Sequence, residues 1–579
     1  MIRSISIGAL VVLAGAAHAQ PVRPYDGLYN NIQNPEWGSV DARLVRTAPA
    51  EYADGASAPA GASRPDPRVI SNSCADQGRD PIWSDRVLTS MTIFWGQFID
   101  HDIGLTEPPE DDLEPLMIAV PDDDPFFDPD DTPVLPFLRS RYDHTTGTGP
   151  DNPREQINQI SAYIDGSAIY GDSPERAAAL RTGIHGKLHV GPDNLLPLNT
   201  LGVGMANPFG VPDEILFAAG DVRGNENPAL ATLHTIFVRE HNRRCDELLE
   251  FNPFMRDEEL YQSARRWVGS IVQHITYNEF LPALLGPDAP GPYQGYDTSV
   301  NAGIANEFAH AAYRMGHTMV NPQLPRYDEN GQPFGDGHLD LLTSFFNPAP
   351  VAEPGGLDAI VRGLTRTASQ EIDMQIVDDL RNFLFPAGSG GMDLASVNIQ
   401  RGRDHGLASY NAHRVAYGLP AAVTWSDVTS NTAVQLALAD LYTSPDEADL
   451  WVVGLAEDHL PGASLGPTLT AIIADQFERL RDGDRYWYER IHVASELNEI
   501  RNTTLRDVIE RNTGVTLLQP NVFFLSVDYN ADGLLNLDDI DAFVNFFLAT
   551  DPRADLNGDG DLNLDDIQIF VDAFFAYNG

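Results

Sequence analysis

The stretch Trp95-Gly96-Gln97-Phe98-Ile99-Asp100-His101-Asp102 places an amide, two carboxylates and an imidazole within six residues. Such a set can move protons, hold a cation or line a cofactor. It follows the apolar run 87–94, which reads as a buried helix. Polar groups carried into a core cost energy unless each meets a partner or a ligand. Taken alone, the cluster is equally a helix end satisfying its own capping bonds.

Three further stretches bear on that choice. In Ser161-Ala162-Tyr163-Ile164-Asp165-Gly166-Ser167, preceded by Arg154-Glu155-Gln156-Ile157-Asn158, two hydroxyls, a carboxylate and the Tyr163 carbonyl could cage a hard cation, although Ser and Asp are also ordinary turn residues. Gly220-Asp221-Val222-Arg223-Gly224-Asn225-Glu226-Asn227-Pro228 leads into a helix carrying Arg239-Glu240-His241. Tyr313-Arg314-Met315-Gly316-His317 ends another helix and is complemented by Asn398-Ile399-Gln400-Arg401-Gly402-Arg403-Asp404-His405.

The C-terminus carries a different chemistry. Asp528, Asn530, Asp532, Asn536 and Asp539 recur 27 residues on as Asp555, Asn557, Asp559, Asn563 and Asp566. These are positions 1, 3, 5, 9 and 12 of a Ca²⁺ loop, with Gly533 and Gly560 at the sharp turn and the carbonyls of Leu534 and Asp561 at position 7. Position 12 is Asp rather than Glu, and the helix before each loop is minimal. Each loop precedes an apolar stripe: Ile540, Phe543, Val544 and Phe547, then Ile567, Phe570, Val571 and Phe574. The pair resembles a dockerin module built from two F-hand-like repeats.

The elements that must position these groups are mostly helical. Apolar residues recur at helical spacing over 84–98, 229–249, 257–285 and 301–315, and in shorter runs near 357–366, 370–384, 404–417, 432–442, 466–482 and 503–511. Residues 20–80 read as an irregular surface arm and 107–133 as an acidic, Pro-rich solvated loop. Arg3, the apolar run 5–14 and Ala17-His18-Ala19 form a secretory signal peptide over 1–19, and nothing else is long and apolar enough to span a membrane. The expected organisation is a mainly α chain: a large helical domain over 20–525 and a small all-α module over 526–579. The net charge of −47 argues against nucleic acid or anionic membranes as partners. With only Cys74 and Cys245, at most one bridge can form, so a disulfide framework is excluded.

Together the chemistry-bearing stretches, with Asp449–Glu457 and Gly483–Glu489, resemble the animal haem peroxidase family (the peroxidase–cyclooxygenase superfamily) from about residue 64 to 524. With the tail included, the chain looks like the bacterial peroxidockerins, secreted peroxidases fused to a dockerin-like module. The resemblance implies haem b and Ca²⁺ as cofactors, and H₂O₂ and a small electron donor as partners. A cohesin-like or surface partner is implied for the tail. It makes His101 the distal histidine, Arg223 its partner and Gln97 the distal amide associated with halides. Asp100 and Glu226 become the ester links to haem, His317 the iron ligand and Asn398 the acceptor for its other ring nitrogen. Arg314 and Arg401 then lie near the propionates, and Asp102, Ser161, Tyr163, Asp165 and Ser167 bind Ca²⁺. Two departures stand out: Asn227 replaces the methionine that forms a sulfonium link in some relatives, and Ser161 replaces a threonine. His241 and His405 read as structural. The expected activity is oxidation of halides, thiocyanate or small phenols by H₂O₂. The rivals are a fatty-acid dioxygenase of the cyclooxygenase branch, for which no tyrosine sits in the matching context, and a haem-binding scaffold without catalysis.

Overall fold

The computed structural model describes residues 22–578 apart from 79, 128–131, 385–390, 528, 530–535 and 557–560. The leader at 1–19 and six expected Ca²⁺ ligands (Asp528, Asn530, Asp532, Leu534, Asn557 and Asp559) lie outside these residues. The described chain is helical, with three small two-stranded antiparallel ladders. None of its helices is long and apolar enough to cross a membrane.

Helix α1 (Ser90–Ile103) runs through the core and ends in the polar cluster. Trp95 and Phe98 are fully buried against Phe237, with ring centroids at 5.7 and 5.4 Å. Phe237 belongs to α2 (Pro228–Phe251), which starts where the Asn227 side chain accepts the Leu230 N–H at 2.8 Å and Pro228 presets the first turn. Helix α3 (Asp257–Ile275) packs along α2 and continues through a π-helical turn, Thr276–Phe280, into Leu281–Leu285. The expected run over 257–285 is therefore continuous, with one wide turn inside it.

Several expected boundaries move. The first core helix begins at Ser90, not 84, because the preceding residues pair with other chain segments. Ser84 donates its N–H to Ser369, Ser369 to Leu88, Thr89 to Phe523 and Leu525 to Val87. Val87 takes a φ of 51°, costly for a β-branched residue, and so turns the chain into the helix. The run 301–315 is not one helix: Asn306–His310 is α-helical, Ala311 breaks it at φ −143°, and a 3₁₀ turn spans Ala312–His317. Over 370–384 only Asp378–Arg381 is helical, since 368–370 are spent in backbone pairing. Helix α4 (Leu394–Asp404) begins where Asp393 caps Ser396, ahead of the expected 404–417. The surface arm contains a helix, Pro67–Cys74, whose Arg68 is buried between Asp124 and Asp393. Within the acidic connection, Ile118–Ala119 pairs with Val134–Leu135 over a small apolar cluster. Cys74 and Cys245 are both free thiols.

The tail forms α5 (Leu537–Leu548) and α6 (Leu564–Asn578), which begin in the same way. Asp539 Oδ2 accepts the Asn536 N–H at 2.9 Å, and Asp566 Oδ2 accepts the Asn563 N–H at 2.9 Å. Phe543 and Phe570 stack at 4.1 Å with parallel planes. Their core also takes in Val87 and Ala368, so the tail shares its apolar interior with the turn that launches α1.

Glu279 in the π-helical turn is buried, with one carboxylate oxygen accepting the Leu505 N–H at 3.0 Å and the other without a partner among the described residues. Burial pushes its pKa up to about 8. The folded chain thus keeps a proton that the unfolded chain releases above about pH 4.5, so this carboxyl costs stability as pH rises towards 8. Glu279→Gln should gain on the wild type by up to ~1.4 kcal/mol per pH unit over that window. Urea titrations at pH 5 and pH 8 check this; an unchanged difference between the two proteins would refute it.

Candidate active site

Two elements bring the polar groups together. The last turns of α1 present Gln97, Asp100 and His101 towards the loop 219–227. His101 Nε2 lies 3.3 Å from Glu226 Oε2, and His101 Nδ1 lies 3.6 Å from Asp221 Oδ1. Gln97 donates to the same Glu226 oxygen at 3.0 Å and accepts from Asn227 at 2.9 Å, so the cap of α2 is wired to the distal amide. Arg223 makes a bidentate pair with Asp221 at 2.9 Å for both contacts, donates to the Gly104 carbonyl at 2.9 Å and lies 3.7 Å from Asp100. Burial opposes the charge on Asp221, but the Arg223 guanidinium and His101 overcome it and hold the carboxyl well below the usual range. Burial likewise lowers Arg223's proton affinity, and Asp221 more than restores it. The loop passes so close to 167–169 that a Cβ on Gly220 would sit 2.4 Å from the Ile169 carbonyl carbon. Only glycine fits there.

The second element is the 3₁₀ turn Ala312–His317, which packs beside α1. His317 Nδ1 is 3.2 Å from Asn398 Oδ1 and 2.9 Å from Asn398 Nδ2. Arg314 donates to that same Oδ1 at 3.1 Å. With the ring proton on Nδ1, one carbonyl oxygen accepts from both, and Nε2 is left bare for a metal. Burial, reinforced by Arg314, pushes the His317 pKa down to about 4, so the ring is neutral at ordinary pH. Arg314 is itself pushed down to about 10 by burial and by Arg401. Arg401 donates to the Leu138 carbonyl at 3.0 Å and to Ser140 Oγ at 2.7 Å.

Gln97, Asp100, Arg223, Glu226, Arg314 and His317 are each half-buried, while most neighbours on their elements are buried. The space they border between the two elements, across which the charge of Arg314 acts on Asp100 and that of Glu226 on His317, is the candidate slot. An imidazole nitrogen left bare on one element, an imidazole on the other and guanidiniums beside both are the groups an iron porphyrin takes. Of the molecule's other hollows, one of about 1030 Å³ beside His185, Arg239 and Asp358 contains none of these residues.

A cluster of buried oxygen groups adjoins His101 in the chain. Asp102 Oδ2 accepts the Asp165 and Gly166 N–H groups at 3.0 and 3.1 Å, and Oδ1 accepts Ala168 N–H at 2.8 Å. Ser161 Oγ donates to Asp165 at 2.9 Å, Ser167 Oγ to the Asp102 carbonyl at 2.8 Å, and the Tyr163 N–H to Ser161 Oγ at 3.3 Å. Both carboxylates are buried, and among the described residues no Arg, Lys or His nitrogen lies within 4 Å of either. Burial and the neighbouring Asp165 push Asp102 up to about 7. A hard cation would neutralise the pair.

The structure thus gathers Gln97, His101, Arg223 and Glu226 at the end of α1, Arg314, His317 and Asn398 at the 3₁₀ turn, and Asp102 with Ser161, Asp165 and Ser167. His241 and His405 are satisfied: the first between Tyr170 Oη and the Gly186 carbonyl at 2.9 and 2.8 Å, the second between Asn306 and Ser140 at 2.7 Å each. One partner went unassigned in the sequence, Asp221. Its signal was an acid two residues before Arg223, the spacing that lets a carboxylate grip both the guanidinium and the backbone N–H.

Three comparisons place this geometry. The family described as animal haem peroxidase matches residues 22–523. Peroxinectin A of Dictyostelium discoideum is 39% identical over 530 residues, covering 88% of this chain and 97% of that protein. The mouse peroxidasin homolog is 36% identical over 87% of this chain, which spans only 37% of that longer protein. Among solved structures, peroxidase A from Dictyostelium discoideum superposes with a TM-score of 0.81 at 37% identity, covering 87% of this chain and all of that one. A rice fatty acid alpha-dioxygenase shares the fold, with a TM-score of 0.72 at 22% identity over 87% of each chain.

Removing one partner of a buried ion pair leaves an uncompensated charge and costs about 3–5 kcal/mol. Asp221→Ala should therefore lower unfolding stability by that order, and Asp221→Asn, which keeps an acceptor, by less. Denaturant titration measures both. A loss under ~1 kcal/mol in the alanine variant would contradict the role given to this pair.

Proposed function

The chain belongs to the animal haem peroxidase family and is a haem peroxidase, and from this we propose that it reduces H₂O₂ at His101 while oxidising a halide, thiocyanate or small phenolic donor. What supports the reading is His101 beside an Arg223 locked by Asp221 at the end of α1, together with a neutral His317 oriented by Asn398 on the 3₁₀ turn packed beside it. Bound haem supplies the redox chemistry, passing to the donor the two-electron oxidation that peroxide delivers.

The protein's own groups do the rest. His101 Nε2 takes a proton from H₂O₂ and returns it to the departing oxygen. Arg223, locked by Asp221, holds a fixed positive charge where the O–O bond polarises, so no water has to reorganise. Asp221 lies 3.6 Å from Nδ1, on the side of the ring away from the reacting Nε2. Gln97, held by Glu226 and Asn227, would meet an approaching halide. His317 would hold the iron through Nε2, with Asn398 fixing the ring angle. Asp100 and Glu226 would bind haem methyl groups as esters, and Arg314 and Arg401 would meet the propionates. Asn227 cannot supply a sulfonium link.

Ca²⁺ belongs to the same proposal, held by Asp102, Ser161, the Tyr163 carbonyl, Asp165 and Ser167. The paired burial of two carboxylates supports it. The proposal also divides the chain into a leader at 1–19 for secretion, a catalytic body at 20–525 and a peroxidockerin-like Ca²⁺ module at 526–579. The exposed Leu537, Leu548 and Leu564 on the tail helices favour a tethering face for a cohesin-like or surface partner. The fold shared with the rice dioxygenase keeps fatty-acid oxygenation as the second reading, tested by oxygen uptake with a polyunsaturated fatty acid.

Stopped-flow mixing of the haem-loaded protein with H₂O₂, followed by bromide, thiocyanate or a phenol, tests the leading reading. His101→Ala should keep its haem absorbance and react with peroxide roughly 10²–10⁴-fold more slowly. His317→Ala should instead lose haem. A His101→Ala protein as fast as the wild type would remove the acid–base role.

A further inference from the structure

Away from the slot, three metal-ligating side chains converge where no function has been placed. Asp85 precedes the turn into α1, Glu371 follows the segment that pairs with that turn, and His459 lies just after the helix Leu450–Ala456. One ligand atom from each lies within 4.8 Å of the others. The ring of His459 is oriented by its surroundings: Nε2 is 2.9 Å from the Ile372 carbonyl, which can only accept, so the proton sits on Nε2. Nδ1 is then a bare acceptor, and it faces the Asp85 carboxylate at 3.9 Å. Two acceptors turned towards each other are reconciled by a positive charge between them, a second ring proton or a metal ion.

The carboxylates point to the same conclusion. Glu371 is fixed by backbone N–H groups, Asp85 at 2.6 Å on one oxygen and Ile372 at 2.7 Å on the other, so each oxygen keeps a free lone pair. Among the described residues, no Arg or Lys nitrogen lies within 4 Å of either carboxylate. The neighbouring Arg86 is turned away, donating to the Ala283 carbonyl and Ser464. Burial and the charge of Asp85 push Glu371 up to about 8, as expected for an acid with no counter-charge.

We infer that Asp85, Glu371 and His459 form a binding site for a divalent transition cation of the zinc type, separate from the haem and from the oxygen cages. An imidazole nitrogen with two carboxylates suits Zn²⁺ and is foreign to Ca²⁺, which takes oxygen ligands. Three protein ligands leave a fourth position for water. Tetrahedral bonds of about 2.0–2.1 Å would draw the ligand atoms to roughly 3.3 Å apart. Asp85, with 63% of its side chain exposed, has the freedom to close that gap.

The site would staple three segments. Glu371 follows Gln370, whose N–H bonds to Met319 just beyond His317, and Asp85 lies five residues before α1. A bound ion therefore tightens the junction from which both histidine-bearing elements depart, without touching the slot.

Equilibrium dialysis of the full haem-loaded chain against micromolar Zn²⁺ in millimolar Ca²⁺, with elemental analysis and thermal unfolding, tests this. The wild type should retain about one Zn²⁺ per chain and unfold at a higher temperature with it. His459→Gln and the exposed Asp85→Asn should each weaken Zn²⁺ binding at least tenfold and abolish the thermal gain, leaving the haem spectrum unchanged. No retained Zn²⁺ in the wild type, or equal retention in both variants, would overturn the inference.

Discussion

The buried carboxylate of Asp102 is the constraint on which the distal side depends. It cannot be left without partners, so it draws in three backbone N–H groups from 165–168 and a serine hydroxyl. The end of α1 is thereby fixed to a loop distant in sequence. That loop supports the next layer: Asp221 donates its N–H to the Ala168 carbonyl at 3.0 Å, and Gly220 lets the two backbones approach. Asp221 grips Arg223, and Arg223 returns to α1 through the Gly104 carbonyl. The circuit closes on His101 from both ends. An imidazole held in this way keeps its position relative to a fixed charge, which is what the proposed proton transfer requires.

The proximal side is governed by the opposite requirement, the exclusion of charge. Burial drives His317 to about 4, and it holds His310 and His405 well below their ordinary values as neutral rings tilted against each other with centroids 3.8 Å apart. Arg314 and Arg401 supply the positive charge that keeps these imidazoles unprotonated. An amide rather than a carboxylate faces His317 Nδ1, so the ring is oriented without being given anionic character. The two elements therefore differ in electrostatics: a charged, hydrogen-bonded network around His101 and a neutral imidazole beside cationic neighbours at His317.

Much of this was legible in the sequence, and what was not has identifiable causes. The long amphipathic helices and the groups they carry could be read because helical spacing and the types His, Asp and Arg are local signals. The break at Ala311 could not, since nothing in Phe308-Ala309-His310-Ala311-Ala312 disfavours a helix; tertiary packing sets it. The start of α1 was misplaced for a related reason. Ser84 to Thr89 leads without a break into the apolar run that starts at Val87, but the N–H groups of Ser84 and Thr89 are claimed by 369 and 523. Asp221 was visible as a residue but not as a partner, because its significance is the distance to His101 across the fold.

That displaced start has structural consequences of its own. Val87 holds a left-handed φ that it would leave unless its surroundings compensated. The compensation comes from two sources: the Leu525 N–H, which bonds to its carbonyl at 3.0 Å, and the tail core of Phe543, Phe570 and Leu556, which buries its side chain. The turn that aims α1 into the core is thus stabilised in part by residues more than four hundred positions later. Ala368, on the other side of the same core, carries backbone towards Gln370 and so to Met319, two residues past His317. The tail and both histidine-bearing elements consequently meet at one junction. Loosening any segment there shifts the others, because packed cores relax by discrete rearrangement rather than by continuous give.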